Sequence, residues 1–546
     1  MPHISTLLQP VFRHPGFRSA CQAIEAGDFP VALSGLTLPA KALAIAGLAH
    51  AFRRPIIILT SDNETADRLA QTAATILQWL EPGAGSSLGV LPAWDCSPYE
   101  GRSPHAEISE RRAATLWSLS RGASRVIFVP LLAALVRYRE KPFYSSLAVE
   151  LKAGDEVEPE TLLAHLTNIG YEPAEPVEDV GQFSVRGGII DVFPPEADWP
   201  FRIEFFGDLI ESLREFDPTS QRSRGPAQSA LLLPLAERER SSKFFQSLLR
   251  NLSERVPAGQ REKAGSEWES AYSGPFPGWE FFVPLVERHP STVFSLLERP
   301  LVVWDEFLER KQQLKRILEG WAAAYDDVRD IVPPPPRPEE VLLTEPEFLK
   351  AVDAHAQLLL KELPVEAGTW QPENDPSSPA AAPEKFTRGD PDSSSTSQPT
   401  AREFVLLSQP PPKFHGGLKV LIEDLRARVA KRETVIFTVP KGGKADRLRE
   451  ILAEYGVPFE TAVEGSSDAG TAVRTTRPSA PSPPRPDGIA QEAGEGVTGQ
   501  AESTGVVTIA TGEIEEGVVF PEPGFVLLSE SELFGRFDWG PRGRRE

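Results

Sequence analysis

The sequence predicts a multidomain α/β protein: a first domain laid out like a nucleotide-binding fold, a small antiparallel β-rich domain, and a second small α/β domain beyond a linker. Three observations carry that prediction. Val31 to Ser34 runs through GLTLPAKA into the Ala/Leu-rich stretch Leu43 to Phe52, the strand, loop and helix order of a phosphate-binding unit. Residues 180–222 form a succession of short β-rich runs cut by Gly and Pro. Two stretches, 366–400 and 464–504, are rich in Pro, Ser, Gly, Ala and Glu with almost no large apolar residues, so burial cannot offset their chain entropy. Both are expected to be disordered.

In the first domain a phosphate loop needs Gly-x-x-x-x-Gly-Lys-Ser/Thr, because glycines let backbone amides wrap the phosphates, the lysine reaches them and the hydroxyl binds magnesium. Gly35 and Lys41 stand at the right places. Ala40 replaces the second glycine, Ala42 replaces the hydroxyl, and Pro39 removes an amide donor. LVVWDE at 301–306 reads as a strand ending in Asp305 and Glu306, the acids that would have steered the metal. As present function, caps on the helix from about Phe307 to Trp321 describe these acids better, since each missing phosphate contact is costly. PIIILT (55–60) is a second buried strand, Asn63 to Leu80 a helix capped by Asp62, and Val126 to Val129 a third strand. His105 and Glu107 could be imagined as a catalytic pair, but neither Cys96 nor Ser97 has a supporting motif, so a loop and helix cap is the better reading.

In the β-rich domain, Gln182 to Val185 and Ile189 to Phe193 form a hairpin across Arg186, Gly187 and Gly188. Phe201 to Phe206 and Leu209 to Phe216 follow, joined at Gly207 and Asp208. Period two puts Phe201, Ile203 and Phe205 on the core face, and Arg202, Glu204 and Phe206 on the other. Alternation leaves two readings of Phe206 open: a binding hot spot beside an arginine, or an aromatic covered by a neighbouring loop.

PPPPRP at 333–338 reads as a stiff spacer opening the linker. Beyond it, Lys419 to Ala430 and Lys444 to Tyr455 read as helices around a strand at Thr434 to Thr438, with later strands at Val506 to Ile509 and Phe525 to Leu528. Lys441 to Lys444, KGGK, lacks full phosphate-loop spacing and reads as a basic helix start.

At 546 residues the chain exceeds a single core. Its formal net charge of -21 makes it a poor autonomous ligand for nucleic acid and favours a protein partner. Cys21 and Cys96 are too few for a disulfide framework or a zinc site, and no signal peptide or membrane span is evident. A cytoplasmic protein without membrane contact is expected.

GQFSVRGGIIDVFP, FRIEFFGDLIESLREFD and DPTSQRS, in that order and spacing, resemble the domain that UvrB shares with the transcription-repair coupling factor (Mfd) family, through which both bind UvrA. The resemblance implies a UvrA-binding surface at Arg186, Arg202 and Phe206. It also extends to residues 90–121 and 276–306, implying that a UvrB-like domain (1–146 and 234–332) is interrupted by the β-rich domain (147–233). A linker (333–402), a small α/β domain (403–535) with the insertion 464–504, and a tail (536–546) complete the expected organisation. The polymerase-interacting domain and translocase of that family have no counterpart in this sequence. The expected function is a non-catalytic UvrA-docking part of a coupling factor, with a vestigial nucleotide site at Gly35, Lys41, Asp305 and Glu306. No cofactor is implied: ATP belongs to the translocase, and RNA polymerase and DNA are reached through the absent regions. A UvrB-like ATP-dependent repair enzyme and a stand-alone UvrA-binding regulator are the alternatives.

Overall fold

The computed structural model describes residues 3–238, 240–256, 268, 270–331, 333–364, 401–414, 417–440, 444–462 and 505–534. They form two compact units: one gathers Pro15–Ala73 and Ser86–Leu407, the other the chain from Ser408 onward with the residues up to His14 and Ala74–Gly85.

The larger unit begins with β1 (Val31–Ser34), β2 (Ile56–Thr60), β3 (Leu88–Val90) and β4 (Val126–Pro130). The chain then leaves for β5 (Val149–Leu151), β6 (Glu172–Pro173), β7 (Gln182–Arg186), β8 (Ile189–Val192), β9 (Phe201–Phe206), β10 (Leu209–Phe216), β11 (Ser223–Pro226) and β12 (Ala230–Leu232). It returns with β13 (Leu301–Asp305), β14 (Ala356–Lys361) and β15 (Arg402–Val405). The returning strands join the first four in one seven-stranded parallel sheet, ordered β15-β1-β14-β13-β2-β4-β3. Every residue of β1, β2, β4 and β13 is buried, as a parallel sheet covered on both faces demands. The helix Leu38–Ala51 is buried over most of its length, which its Ala-rich, all-round apolar sequence permits.

The linker expected over 333–402 is corrected by this sheet. Pro333, Pro335 and Pro336 are buried, and the Tyr99 hydroxyl donates to the Pro336 carbonyl at 3.2 Å. The prolines are a packed strap, because a rigid chain with few amide donors is cheap to lay along an apolar surface. Behind them β14 sits inside the sheet, between β1 and β13, with Leu358 and Leu360 fully buried. β15 also belongs here, beside β1, so the second α/β unit starts at Ser408 and not at 403. The stretches 366–400 and 464–504, the KGGK glycines and the tail 536–546 lie outside the described residues.

The excursion from β6 to β11 is a six-stranded sheet ordered β11-β10-β9-β8-β7-β6, antiparallel except at β6. Its neck is the antiparallel pair β5 and β12. The inward residues Phe183, Ile190, Ile203 and Leu213 share one hydrophobic cluster with Ile57, Ile127 and Trp304 of the parent domain. The smaller unit carries β16 (Thr434–Val439), β17 (Phe459–Thr461), β18 (Val507–Thr511), β19 (Val518–Phe520) and β20 (Phe525–Leu528). They form a five-stranded sheet ordered β17-β18-β16-β20-β19, parallel except at β19.

Candidate docking surface

The register of the inserted sheet places three successive rungs on its outer face. Ser184, Asp191, Arg202 and Arg214 make one, Arg186, Ile189, Glu204 and Ser212 the next, and Phe206 with Leu209 the third. Cross-strand partners share a face, so Arg186, Arg202 and Phe206 lie on the same side, with Glu204 between the last two. Phe206 is 77 % exposed, while its neighbour Phe205 turns inward and packs against the core. Period two therefore reads the strand correctly.

The three predicted contacts differ in what holds them. Arg186 is exposed and pairs with Glu175 at 3.1 Å. Arg202 is not the free rim cation its strand position suggests: Nε and Nη2 each donate to the Asp191 carboxylate at 2.8 Å, and the guanidinium lies 4.7 Å over the buried Phe216 ring. Asp191 is 2 % exposed. Its partner had to come from the adjacent strand, because a buried carboxylate without one is strongly destabilising. Arg202 therefore lies on the face opposite the core, as alternation places it, yet is held by a buried carboxylate.

The loop after β1 is filled by the chain itself. Gly35 turns at φ +87°, and a Cβ there would stand 3.0 Å from both the Leu406 carbonyl and the Leu407 side chain. Lys41 is 4 % exposed and donates to Asp305 and to Glu306 at 2.6 Å each. Burial alone would lower the amine's pKa, but the two carboxylates outweigh it and raise it. Glu306 sits at φ +58° and also accepts the Glu362 amide; it holds the N-cap position of the helix Phe307–Val328 but makes no side-chain cap bond, so the expected helix cap is corrected to an internal ion pair. The lysine is committed to the two acids, Ala40 and Ala42 stand where a phosphate loop has glycine and a hydroxyl, and Leu406 and Leu407 pack against Gly35. His105 caps the helix Ala106–Arg121, accepting the Glu107 amide. Among the described residues no group of three or more His, Cys, Asp or Glu could hold a metal, and no helix is long and apolar enough to cross a membrane.

Sequence reasoning missed a buried polar layer where the insertion rejoins its parent. Arg112, fully buried, donates to both Glu237 oxygens at 2.9 and 3.1 Å and to the Pro92 carbonyl, with Trp94 stacked 4.5 Å away. Arg238 donates to His289 Nε2 at 3.4 Å, while His289 Nδ1 faces the Arg137 carbonyl at 3.0 Å. That pattern requires a neutral imidazole, donating at Nδ1 and accepting at Nε2. Arg112 and Glu237 lie 125 positions apart, beyond the reach of any local pattern.

Residues 149–237 match the model of the UvrB interaction domain. A transcription-repair-coupling factor of Myxococcus xanthus is 27 % identical over 95 % of this chain and 40 % of its own length. One from Mycobacterium bovis is 26 % identical over 99 % of the chain and 40 % of its own length, and one from Escherichia coli 30 % identical over 38 % and 17 %. The chain thus spans about two-fifths of the length of the relatives it matches end to end. Over nearly all its residues it is similar to transcription-repair-coupling factors, and it carries a UvrB interaction domain inserted into its first α/β domain.

Proposed function

We propose that this chain is a non-catalytic docking module that binds UvrA through the outer face of its inserted sheet and so brings nucleotide-excision repair to stalled RNA polymerase. The observation that carries the reading is Phe206, an aromatic 77 % exposed on a polar face inside the segment that matches the UvrB interaction domain. Such a ring costs free energy in water and returns it when a partner covers it. Arg186 and Arg202 lie on the same face: Arg186 is the exposed cation suited to a carboxylate on the partner, while Arg202 is held in place by Asp191. RNA polymerase and DNA are reached, in this reading, through parts of the relatives outside the aligned span, and the site of action is the cytoplasm. The UvrB-like enzyme alternative is disfavoured by the self-satisfied Lys41. The stand-alone regulator differs only in whether polymerase is engaged.

Calorimetric titration of UvrA tests the reading. Phe206→Ala is expected to weaken binding by roughly 2 kcal/mol or more without moving the melting midpoint. Phe205→Ala, the inward neighbour, should instead destabilise the fold by about 2 kcal/mol. Unchanged UvrA affinity in a folded Phe206→Ala variant would end the docking reading.

A further inference from the structure

Leu209 faces Phe206 directly across the Gly207–Asp208 turn and is itself 40 % exposed. As register partners the two side chains stand side by side, a leucine and a phenylalanine both displayed to water at the end of one hairpin. On the opposite flank of Phe206 the neighbouring hairpin turn carries two glycines, Gly187 and Gly188. Gly187 takes φ +62°, and Gly188 lies so close that a Cβ would meet the Phe205 carbonyl oxygen at 2.8 Å. The backbone beneath is braced from the side: Val157 donates to the Asp208 carbonyl at 2.7 Å, Ile210 to Asp155 at 2.9 Å, and Gly154 to Ile210 at 2.8 Å. Side chains on such a held turn lose little freedom when covered, so more of their burial survives as affinity.

Resting on the docking reading above, we infer that Leu209 is a second apolar anchor of that surface, entering the same apolar pocket of UvrA as Phe206. The two make one continuous apolar edge. Arg186 and Glu204 on the neighbouring rung border it with charges of both signs, so the matching pocket is apolar with a polar rim. Leu209 stays out of the core, since Ile210, Leu213 and Phe216 supply the buried residues of β10.

The test uses the full chain, purified UvrA and a matched set: Leu209→Ala, Leu209→Asp, Leu209→Met and Phe206→Ala, each melted before titration. Leu209→Ala is expected to weaken binding about tenfold and Leu209→Asp further, since a carboxylate would be desolvated in an apolar pocket. Leu209→Met, which keeps the apolar volume, should stay near the parent affinity. If Leu209→Ala and Leu209→Asp bind within twofold of the parent while Phe206→Ala binds weakly, docking stands and the second anchor is refuted. If Phe206→Ala also binds normally, the docking reading has failed and takes this inference with it.

Discussion

Arg202 shows how one side chain can serve both a surface and an interior. Its guanidinium is pinned by both oxygens of Asp191, a carboxylate with almost no water of its own, so deleting it does more than remove a positive charge from a docking face. Arg202→Ala is expected to destabilise the fold by about 3 kcal/mol, because Asp191 would be left buried and unpaired. Arg186→Ala, whose partner Glu175 is exposed, should leave the fold within about 0.5 kcal/mol of the parent. Denaturant melts of the two variants separate them; equal stabilities would mean that Asp191 finds another partner. Weak UvrA binding by Arg202→Ala alone therefore cannot count as a lost contact unless that variant is folded. Alternation made the side of Phe206 and Arg202 legible in the sequence. Asp191 was not legible as a partner, because cross-strand pairing depends on register, and register is set by the turns and the core together.

Among the elements, β14 and the strap before it mark where local reading failed. AQLLLK is a recognisable buried strand, yet it follows PPPPRP, and proline composition read alone says spacer. Burial of those prolines and insertion of β14 between β1 and β13 are long-range outcomes. The departures of the loop after β1 from phosphate-loop spacing were legible residue by residue; the ion pairs that Lys41 makes instead were not. Lys41 now closes the ends of β13 and the loop after β1 through Asp305 and Glu306. Changing Lys41 to Met leaves Asp305 buried without its cation, and a destabilisation of about 3 kcal/mol is expected. Because the folded-state pKa of Lys41 is raised, its contribution is complete below the unfolded value and fades only as pH rises through the folded one. Titration with a fluorescent ATP analogue and magnesium is expected to show no saturable micromolar binding. Saturable binding abolished by a folded Lys41 variant would overturn the account of this element.

At the scale of the whole larger unit, the inserted sheet and its parent share one hydrophobic cluster and one buried polar layer, so they are expected to unfold together. The resemblance suggested the insertion, but no pattern in the sequence announced the layer, whose members come from four separate segments: Arg112, Arg137 to Tyr138, Glu237 to Arg238, and His289. His289 makes this layer sensitive to acid. Burial first, then the neighbouring Arg238, depress its pKa from 6.5 to about 3, against smaller opposing effects of the Arg137 carbonyl and Glu237. A second proton would sit on Nε2, facing the Arg238 guanidinium that now donates to it. The sign follows from the depressed value: the unfolded chain takes up this proton near pH 6.5 and the folded one does not until about pH 3, so stability is complete above pH 6.5 and declines as pH falls between the two. Glu237, whose pKa is lowered because Arg112 and Arg238 outweigh its burial, adds to the loss at the acid end of that range. His289→Gln keeps an amide to donate and a carbonyl oxygen to accept but cannot titrate. Denaturant melts at pH 7.5, 6, 5 and 4 should show the parent losing stability progressively and the Gln variant losing less between pH 6.5 and 5, where few carboxylates titrate. Parallel losses in the two proteins over that interval would exclude His289 as the acid-sensitive group.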